Sequence, residues 1–338
     1  MTHRERTENA FAFRPCDKVP FAVFNSPCGY AELGQPLLDL FRRYENDFTS
    51  FEDIKLPNIP DDRYDEEGNY RYIFRDEWGA VKEQRVYGMH ALTVDYPLNN
   101  WDSLKNYSAP LPPAVTEKDI KSAEKHMEKY YLKTGWISIF EIMHSVRSME
   151  NVLADLAEDT EEINILADII CDYQAKVIDY YLKCGCDCIE FGDDYGTTES
   201  LIMSPGTWRK FFRPRYERLI KPIKKAGKKV AFHSCGQVWN LIEDFKEMGA
   251  DSIWPQINLY DCKELNRKLK DLKLALTIHP DRGELMQRGT PDDIKKEVWR
   301  LNDIFEPMNG GSWFHIEADH GFSLQNTEAL FEAITEIK

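Results

Sequence analysis

No run of this sequence approaches the ~20 consecutive apolar residues that a membrane-spanning helix needs, which excludes a transmembrane anchor of that kind. The amino terminus, MTHRERTENAFAFRPCDKVP, lacks both the apolar stretch and the small-residue cleavage site of a secretion signal, so the chain is expected to stay in the cytoplasm. Internal repeats, low-complexity tracts and linkers rich in Gly, Pro or Ser are missing too, and a single domain over residues 1–338 is the default. No G-x-G-x-x-G follows a strand-like run and no G-x-x-x-x-G-K-[ST] occurs, which removes the usual grounds for a nucleotide-binding doubly wound sheet. Basic charge is also short. With 43 Lys and Arg against 58 Asp and Glu, the formal net charge of −15 repels nucleic-acid phosphates and anionic lipid, so neither is an expected partner.

What is present is globular: 42% apolar and 30% charged residues. In a reducing compartment the eight cysteines are expected to be buried, metal-bound or catalytic rather than paired in disulfides. The run CGCDC (Cys184, Cys186, Cys188) resembles a metal cluster. Its period-two spacing at a helix-to-strand junction suits alternating small core residues better, because structural zinc sites favour C-x-x-C.

Strand-like runs each precede a longer amphipathic stretch, in the order WISIFEIMHS, CDCIEFGDDYG, KKVAFHSCG, DSIWPQIN, LKLALTIHPD and GSWFHIEAD. These are six βα units in one direction. VPFAVFNS near the amino terminus supplies another strand, and Ser204 followed by Pro205 reads as a helix N-cap and first helical residue. Between VPFAVFNS and residue 136 lie a helix, PLLDLFRRYENDF, and a β-like segment, read together as an inserted helix and hairpin region at about 30–130. Repeated βα units over ~250 residues or more favour a (β/α)8 TIM barrel over an open sheet.

Polar and ligand-type residues collect where these runs end: Glu141 and His144; Glu190, Asp193 and Asp194; His233 and Cys235. Trp254 and Gln256, His279 and Asp281, then Glu317, Asp319 and His320 follow in the later units. In a barrel the carboxyl ends of the strands form one mouth, where active sites are assembled. Four of the eight histidines lie at these ends. Thiolate and imidazole are preferred zinc ligands, and a catalytic zinc uses three protein ligands. His233 and Cys235, two residues apart, project to the same side of a strand. His320 is the expected third ligand, and Glu190 a fourth ligand or a partner that orients an imidazole.

Several stretches, taken in order, carry a family likeness: FRPCDKVPF, DYPLNNWDSLKNYSAP, IEFGDDYGTTESLIMSPGTWRKFFRPRYERLI, FHSCGQVWNLIEDFKEMGADSIWPQ, HPDRGELMQRGTPDDI and ADHGFSLQNTEALFEAI. The sequence resembles the uroporphyrinogen decarboxylase superfamily, on the branch that includes cobalamin-dependent methyltransferases. The resemblance implies the (β/α)8 barrel. Decarboxylases of porphyrinogen resemble one another in an early R-x-x-x-R segment that clamps carboxylates, whereas the corresponding FAVFNSPCGYAEL has no arginine. The methyltransferase branch holds zinc through H-x-C and a distant cysteine. His233 and Cys235 match, and His320 stands where that cysteine would be. An imidazole in place of a thiolate leaves a zinc site more positive and a stronger Lewis acid.

The implied activity is therefore a zinc-dependent methyltransferase that moves a methyl group from a small O- or N-methylated substrate to a Co(I) corrinoid on a partner protein. The alternative is a metal-free decarboxylase of a small or tetrapyrrole acid in which Asp281 and His320 handle protons. Glu190, Asp193 and Asp194 are expected to complete the zinc shell or, with Asp281, to transfer protons. Glu141, His144, Tyr195, Trp254, Gln256 and His279 are the expected substrate contacts. The D-x-H-x-x-G signature of a cobalamin-binding chain is absent, so the corrinoid is expected on the partner. A homodimer is compatible with all of this.

Overall fold

The computed structural model describes residues 1–338. Its strands are β1 (Phe21–Val23), β2 (Tyr72–Arg75), β3 (Val81–Gln84), β4 (Leu92–Asp95) and β5 (Lys133–Ile137), followed by β6 (Cys188–Gly192), β7 (Lys229–Ser234), β8 (Ser252–Pro255), β9 (Ala275–Ile278) and β10 (Ser312–Ile316). Seven of them form one curled parallel sheet in the order β1-β10-β9-β8-β7-β6-β5. Helices such as Glu161–Cys184, Arg213–Lys225 and Pro291–Phe305 alternate with these strands in sequence.

The gap between β1 and β5 is bridged by residues 46–49, which follow the expected helix, now Pro27–Arg43. Asp47 N donates to Phe21 O and Tyr131 N donates to Asp47 O, both at 3.0 Å. Thr49 Oγ1 adds a bond to Val23 O at 2.8 Å. The eighth stave of the barrel is therefore irregular backbone rather than a strand. Asp47 explains why: its carboxylate accepts from Phe21 N at 3.1 Å and from Arg6 Nη1 at 2.5 Å, so the chain here is organised by a side chain rather than a ladder.

Strand periodicity fills the barrel in layers. The lowest layer is apolar: Ala22, Cys188, Ala231, Ala275 and Trp313 pack with Phe48 and Tyr131, beneath which Ala10 and Phe11 of the helix His3–Phe11 form the plug. Small residues surround one tryptophan. Cys184, Cys186 and Cys188 are all buried and free, in line with the packing reading of CGCDC. Above this layer the interior turns polar: Lys133 pairs with Glu190, and Trp254 lies against both His233 and His315. Outside, Tyr216, Leu219, Ile220 and Ile223 are the buried stripe of Arg213–Lys225. Each such side chain contributes roughly 1.5–3 kcal/mol. Ser204 Oγ caps the preceding helix by accepting from Thr207 N at 3.0 Å.

The segment expected to be an insertion contains a three-stranded antiparallel sheet, β2-β3-β4, rather than a single hairpin. From β3, Lys82 Nζ donates to Thr93 Oγ1 at 2.7 Å and to Ser145 Oγ at 2.6 Å. Ser145 lies on a helix, Phe140–Arg147, where the run WISIFEIMHS was expected to be strand. Asp193 is the cause. Its carboxylate accepts from Ile139 N at 2.7 Å and Glu141 N at 2.8 Å, satisfying the first amides of that helix. Glu141 and His144 consequently sit on a helix and not at a strand end. No helix is long and apolar enough to cross a membrane.

Candidate metal centre

Strands β6 and β7 pair in register, with Gly192 opposite His233. Beyond them the two loops touch backbone to backbone. A Cβ on Gly236, whose φ is +77°, would lie 2.1 Å from the carbonyl carbon of Gly196. Only glycine permits this approach, which Gln237 N seals by donating to Thr197 O at 2.7 Å. The result is that Asp194 and Cys235 stand side by side.

Cys235 N donates to Asp194 Oδ1 at 2.7 Å. His233 Nε2 lies 3.3 Å from Cys235 Sγ and 3.5 Å from Asp194 Oδ1. Tetrahedral zinc with bonds of about 2.0–2.3 Å has ligand-to-ligand edges of roughly 3.3–3.7 Å, so these separations fit one ion. The chemistry of the donors fits as well: nitrogen, sulfur and carboxylate oxygen converge. Burial lowers the His233 pKa, with Asp194 opposing, which favours the neutral imidazole that a metal requires. Burial, reinforced by Asp194, pushes the Cys235 thiol up to about 12, and a bound cation is what would make it a thiolate.

His320 does not join this group. Its Nδ1 lies 2.5 Å from Glu32 Oε1, and with Cys28 it forms a separate cluster, its side chain 56% exposed. The backbone dictates this. After β10, Ala318 N donates to Ser26 Oγ at 3.0 Å, tying the segment to the start of the helix Pro27–Arg43, and Gly321 N donates to Glu32 Oε2 at 3.0 Å. The third donor beside His233 and Cys235 is Asp194. A carboxylate restores the negative charge that an imidazole would have removed, but as a harder and weaker donor than a thiolate it still leaves a bound zinc more Lewis-acidic than a second cysteine would, so that expectation passes from His320 to Asp194.

The remaining candidates divide by burial. Asp193 and Tyr195 are both fully buried. Asp193 holds the helix amides and accepts from the Tyr216 hydroxyl, and burial pushes its carboxyl up to about 7. Tyr195 packs on Phe140 and Phe212 at centroid distances of 5.3 and 5.2 Å, with its hydroxyl 2.5 Å from that of Tyr216. Neither faces a cavity, so the expected roles in proton transfer and substrate contact are replaced by structural ones. Asp281 is occupied by Asn258 Nδ2 at 3.0 Å and Leu285 N at 3.1 Å, ordering the loop after β9. Gln256 Oε1 accepts from Gly236 N at 3.2 Å and steadies the loop bearing Cys235.

Glu141 faces a cavity of about 680 Å3 that also reaches Asp194. Burial opposes its ionisation, yet His144, 3.2 Å away, holds its carboxyl below the usual range. Glu190 forms a buried ion pair with Lys133 at 2.6 Å. Trp254 Nε1 donates to His279 Nδ1 at 3.2 Å, which puts the neutral imidazole's proton on Nε2, 3.4 Å from Glu317 Oε1.

Four residues outside the expected set also shape the mouth: Lys82, Lys133, Trp136 and His315. Trp136 lies across it, its ring 5.3 Å from that of His233. A Cβ on Gly192 would strike that ring at 2.2 Å, so the glycine makes room for it. Three cavities, of about 680, 590 and 470 Å3, share Trp136 as wall. His315 was hidden within a strand run, although its period-two relation to Trp313 and Glu317 marks it as inward-facing.

The fold and the cluster together define a βα-barrel protein with three metal-type donors at the carboxyl ends of its strands. Residues 120–337 match the family model described as uroporphyrinogen decarboxylase (URO-D), and the chain belongs to that family. Among solved structures it is similar to a methyltransferase from Methanosarcina mazei, with a TM-score of 0.69 and 14% identity over 99% of each chain. A sugar phosphate isomerase/epimerase from Parabacteroides distasonis matches at a TM-score of 0.42 and 11% identity, over 95% of this chain and 97% of that one. At such identities the first likeness establishes a shared fold. No curated protein matches the sequence.

Proposed function

We propose that this chain is a zinc-dependent methyltransferase that moves the methyl group of a small O- or N-methylated compound to a Co(I) corrinoid on a separate carrier protein. The observation that carries the reading is the convergence of His233 Nε2, Cys235 Sγ and Asp194 Oδ1 at the barrel mouth. Membership of the URO-D family and the fold shared with the Methanosarcina mazei methyltransferase support it. The same proposal includes one domain with an inserted region, a cytoplasmic setting and a corrinoid-binding partner.

His233, Cys235 and Asp194 would hold the zinc, which when bound supplies Lewis acidity toward the heteroatom that carries the methyl group. The chain's own residues prepare that place. The amide of Cys235 fixes the Asp194 carboxylate, and Gln256 fixes the next amide, so the donors are set by backbone rather than by flexible side chains. Trp136 and Trp254 lie against His233, at centroid distances of 5.3 and 4.4 Å, and exclude water from its ring. Glu141, kept ionised by His144, is placed to accept a proton at the edge of the cavity that reaches Asp194. The metal-free decarboxylase reading relied on Asp281 and His320. Both are engaged elsewhere, by Asn258 and by Glu32.

The test uses anaerobically purified protein. Zinc at about one per chain and methylation of Co(I) corrinoid, both lost in His233→Ala, are the expected results. Protein without bound zinc whose His233→Ala variant keeps full activity would overturn the proposal.

A further inference from the structure

Demethylating an ether consumes a proton, because the electron pair of the broken bond stays on the departing oxygen. Glu141 is ionised, so it takes a proton rather than gives one. Lys133 is committed to Glu190, at 2.6 Å. Asp193 is fully buried and faces no cavity.

Lys82 is differently placed. It reaches in from β3, is 9% exposed, and lies on the wall of the cavity of about 680 Å3 whose walls also include Glu141 and Asp194. Two of its N–H groups go to uncharged hydroxyls, Thr93 Oγ1 at 2.7 Å and Ser145 Oγ at 2.6 Å. Asp76 Oδ2 stands 3.8 Å away, beyond hydrogen-bond reach, so the third N–H has no partner in the protein. A buried ammonium without a directly bonded counter-ion is costly, which points to a role at the cavity. Thr93 lies on β4 and Ser145 on the helix Phe140–Arg147, so the ammonium is held from two elements rather than free to swing. Burial lowers the Lys82 pKa, with Asp76 and Glu141 opposing, so it releases a proton more readily than an ordinary lysine. Glu77 and His90 are further titratable groups on the same walls.

We propose that Lys82 is the general acid of the demethylation and protonates the departing oxygen of an O-methylated substrate. The assignment rests on the methyl-transfer reading and supplies the proton that it requires. R–O–CH3, Co(I) and the lysine ammonium give R–OH, methyl-Co(III) and the neutral amine. The O–CH3 bond breaks, the electron pair of Co(I) forms the new bond to carbon, and the pair left on oxygen takes the lysine's proton. The amine regains a proton from water after the product leaves.

The test uses the full zinc-loaded chain with free cob(I)alamin as acceptor and aryl methyl ethers as donors, since a ring substituent tunes how well their oxygen leaves. Lys82→Met is expected to slow transfer from 4-methylanisole, a poor leaving group, by about a hundredfold, and from 4-cyanoanisole, a better one, by less than about tenfold. Lys82→Arg keeps the charge and can bond both hydroxyls but does not release its proton. It should show the same split with an unchanged thermal midpoint, whereas a structural role would slow both ethers equally. A second readout needs no turnover. In zinc-free His233→Ala protein at neutral pH, calorimetry should find the anion of pentafluorophenol bound about tenfold more weakly once Lys82→Met is added, with pentafluoroanisole unaffected. Equal slowing of the two ethers, or phenolate binding indifferent to Lys82→Met, would overturn the assignment and leave the metal reading standing. No zinc-dependent transfer from either ether by the wild type would overturn the methyl-transfer reading and this one with it.

Discussion

Of the three groups of metal-type donors, the third being His279, His315 and Glu317, the two that contain a cysteine are built from similar residues yet held in different ways. In the first, His233, Cys235 and Asp194 are fixed by paired strands and by two glycine backbones in contact. In the second, Cys28, Glu32 and His320 meet where a loop crosses a helix start, and both Glu32 and His320 are exposed. The first has its donors spaced as one ion would space them. The second is closed on itself by a hydrogen bond of 2.5 Å between His320 and Glu32. Donor identity alone does not distinguish them; the backbone behind the donors does.

Substitutions at the first cluster should have the largest effects. His233→Ala should lower zinc affinity on the order of a thousandfold, read by competition with a chelator. Gly236→Ala places a methyl against the Gly196 backbone and strains a left-handed residue. It should destabilise the chain by about 2–4 kcal/mol, seen as a lower thermal midpoint, and weaken zinc binding by separating Cys235 from Asp194. Asp194→Asn keeps the shape and removes the charge, and zinc affinity should fall on the order of a hundredfold.

A smaller effect separates the metal cluster from the barrel interior. His315 is neutral in the folded chain down to about pH 3, against 6.5 for an ordinary histidine. As pH falls below 6.5 the unfolded chain gains a proton that the folded one does not, and stability drops until about pH 3. The slope is about 1.4 kcal/mol per pH unit. Between pH 7 and pH 5, urea unfolding should show a loss of about 2 kcal/mol that is missing in His315→Phe. The smallest effect belongs to the second cluster. His320→Ala should leave zinc affinity within about twofold and change stability by less than about 1 kcal/mol, because its ion pair is solvent-exposed.

Local spacing made much of this visible in advance. H-x-C at a strand end reports two donors on one side because strand geometry is periodic, and the six βα units followed from the same periodicity. Asp194 was visible as a strand-end carboxylate able to complete a zinc shell. Its selection over Asp193 was not, since that depends on which residue faces the helix amides. The place of His320 depends on Ser26 and Glu32, nearly three hundred positions away in sequence. WISIFEIMHS misled because a short apolar run fits a strand or a buried helix equally, and a distant aspartate decides between them. The irregular eighth stave has no hydrophobic alternation to announce it, being organised by Asp47.

The most direct test of the metal centre is X-ray absorption at the zinc edge of the loaded protein, compared across the wild type, Asp194→Asn and His320→Ala. One sulfur at about 2.3 Å with lighter nitrogen and oxygen neighbours, unchanged in His320→Ala and altered in Asp194→Asn, is the predicted result. A zinc shell without sulfur, or one that changes in His320→Ala while Asp194→Asn matches the wild type, would contradict it.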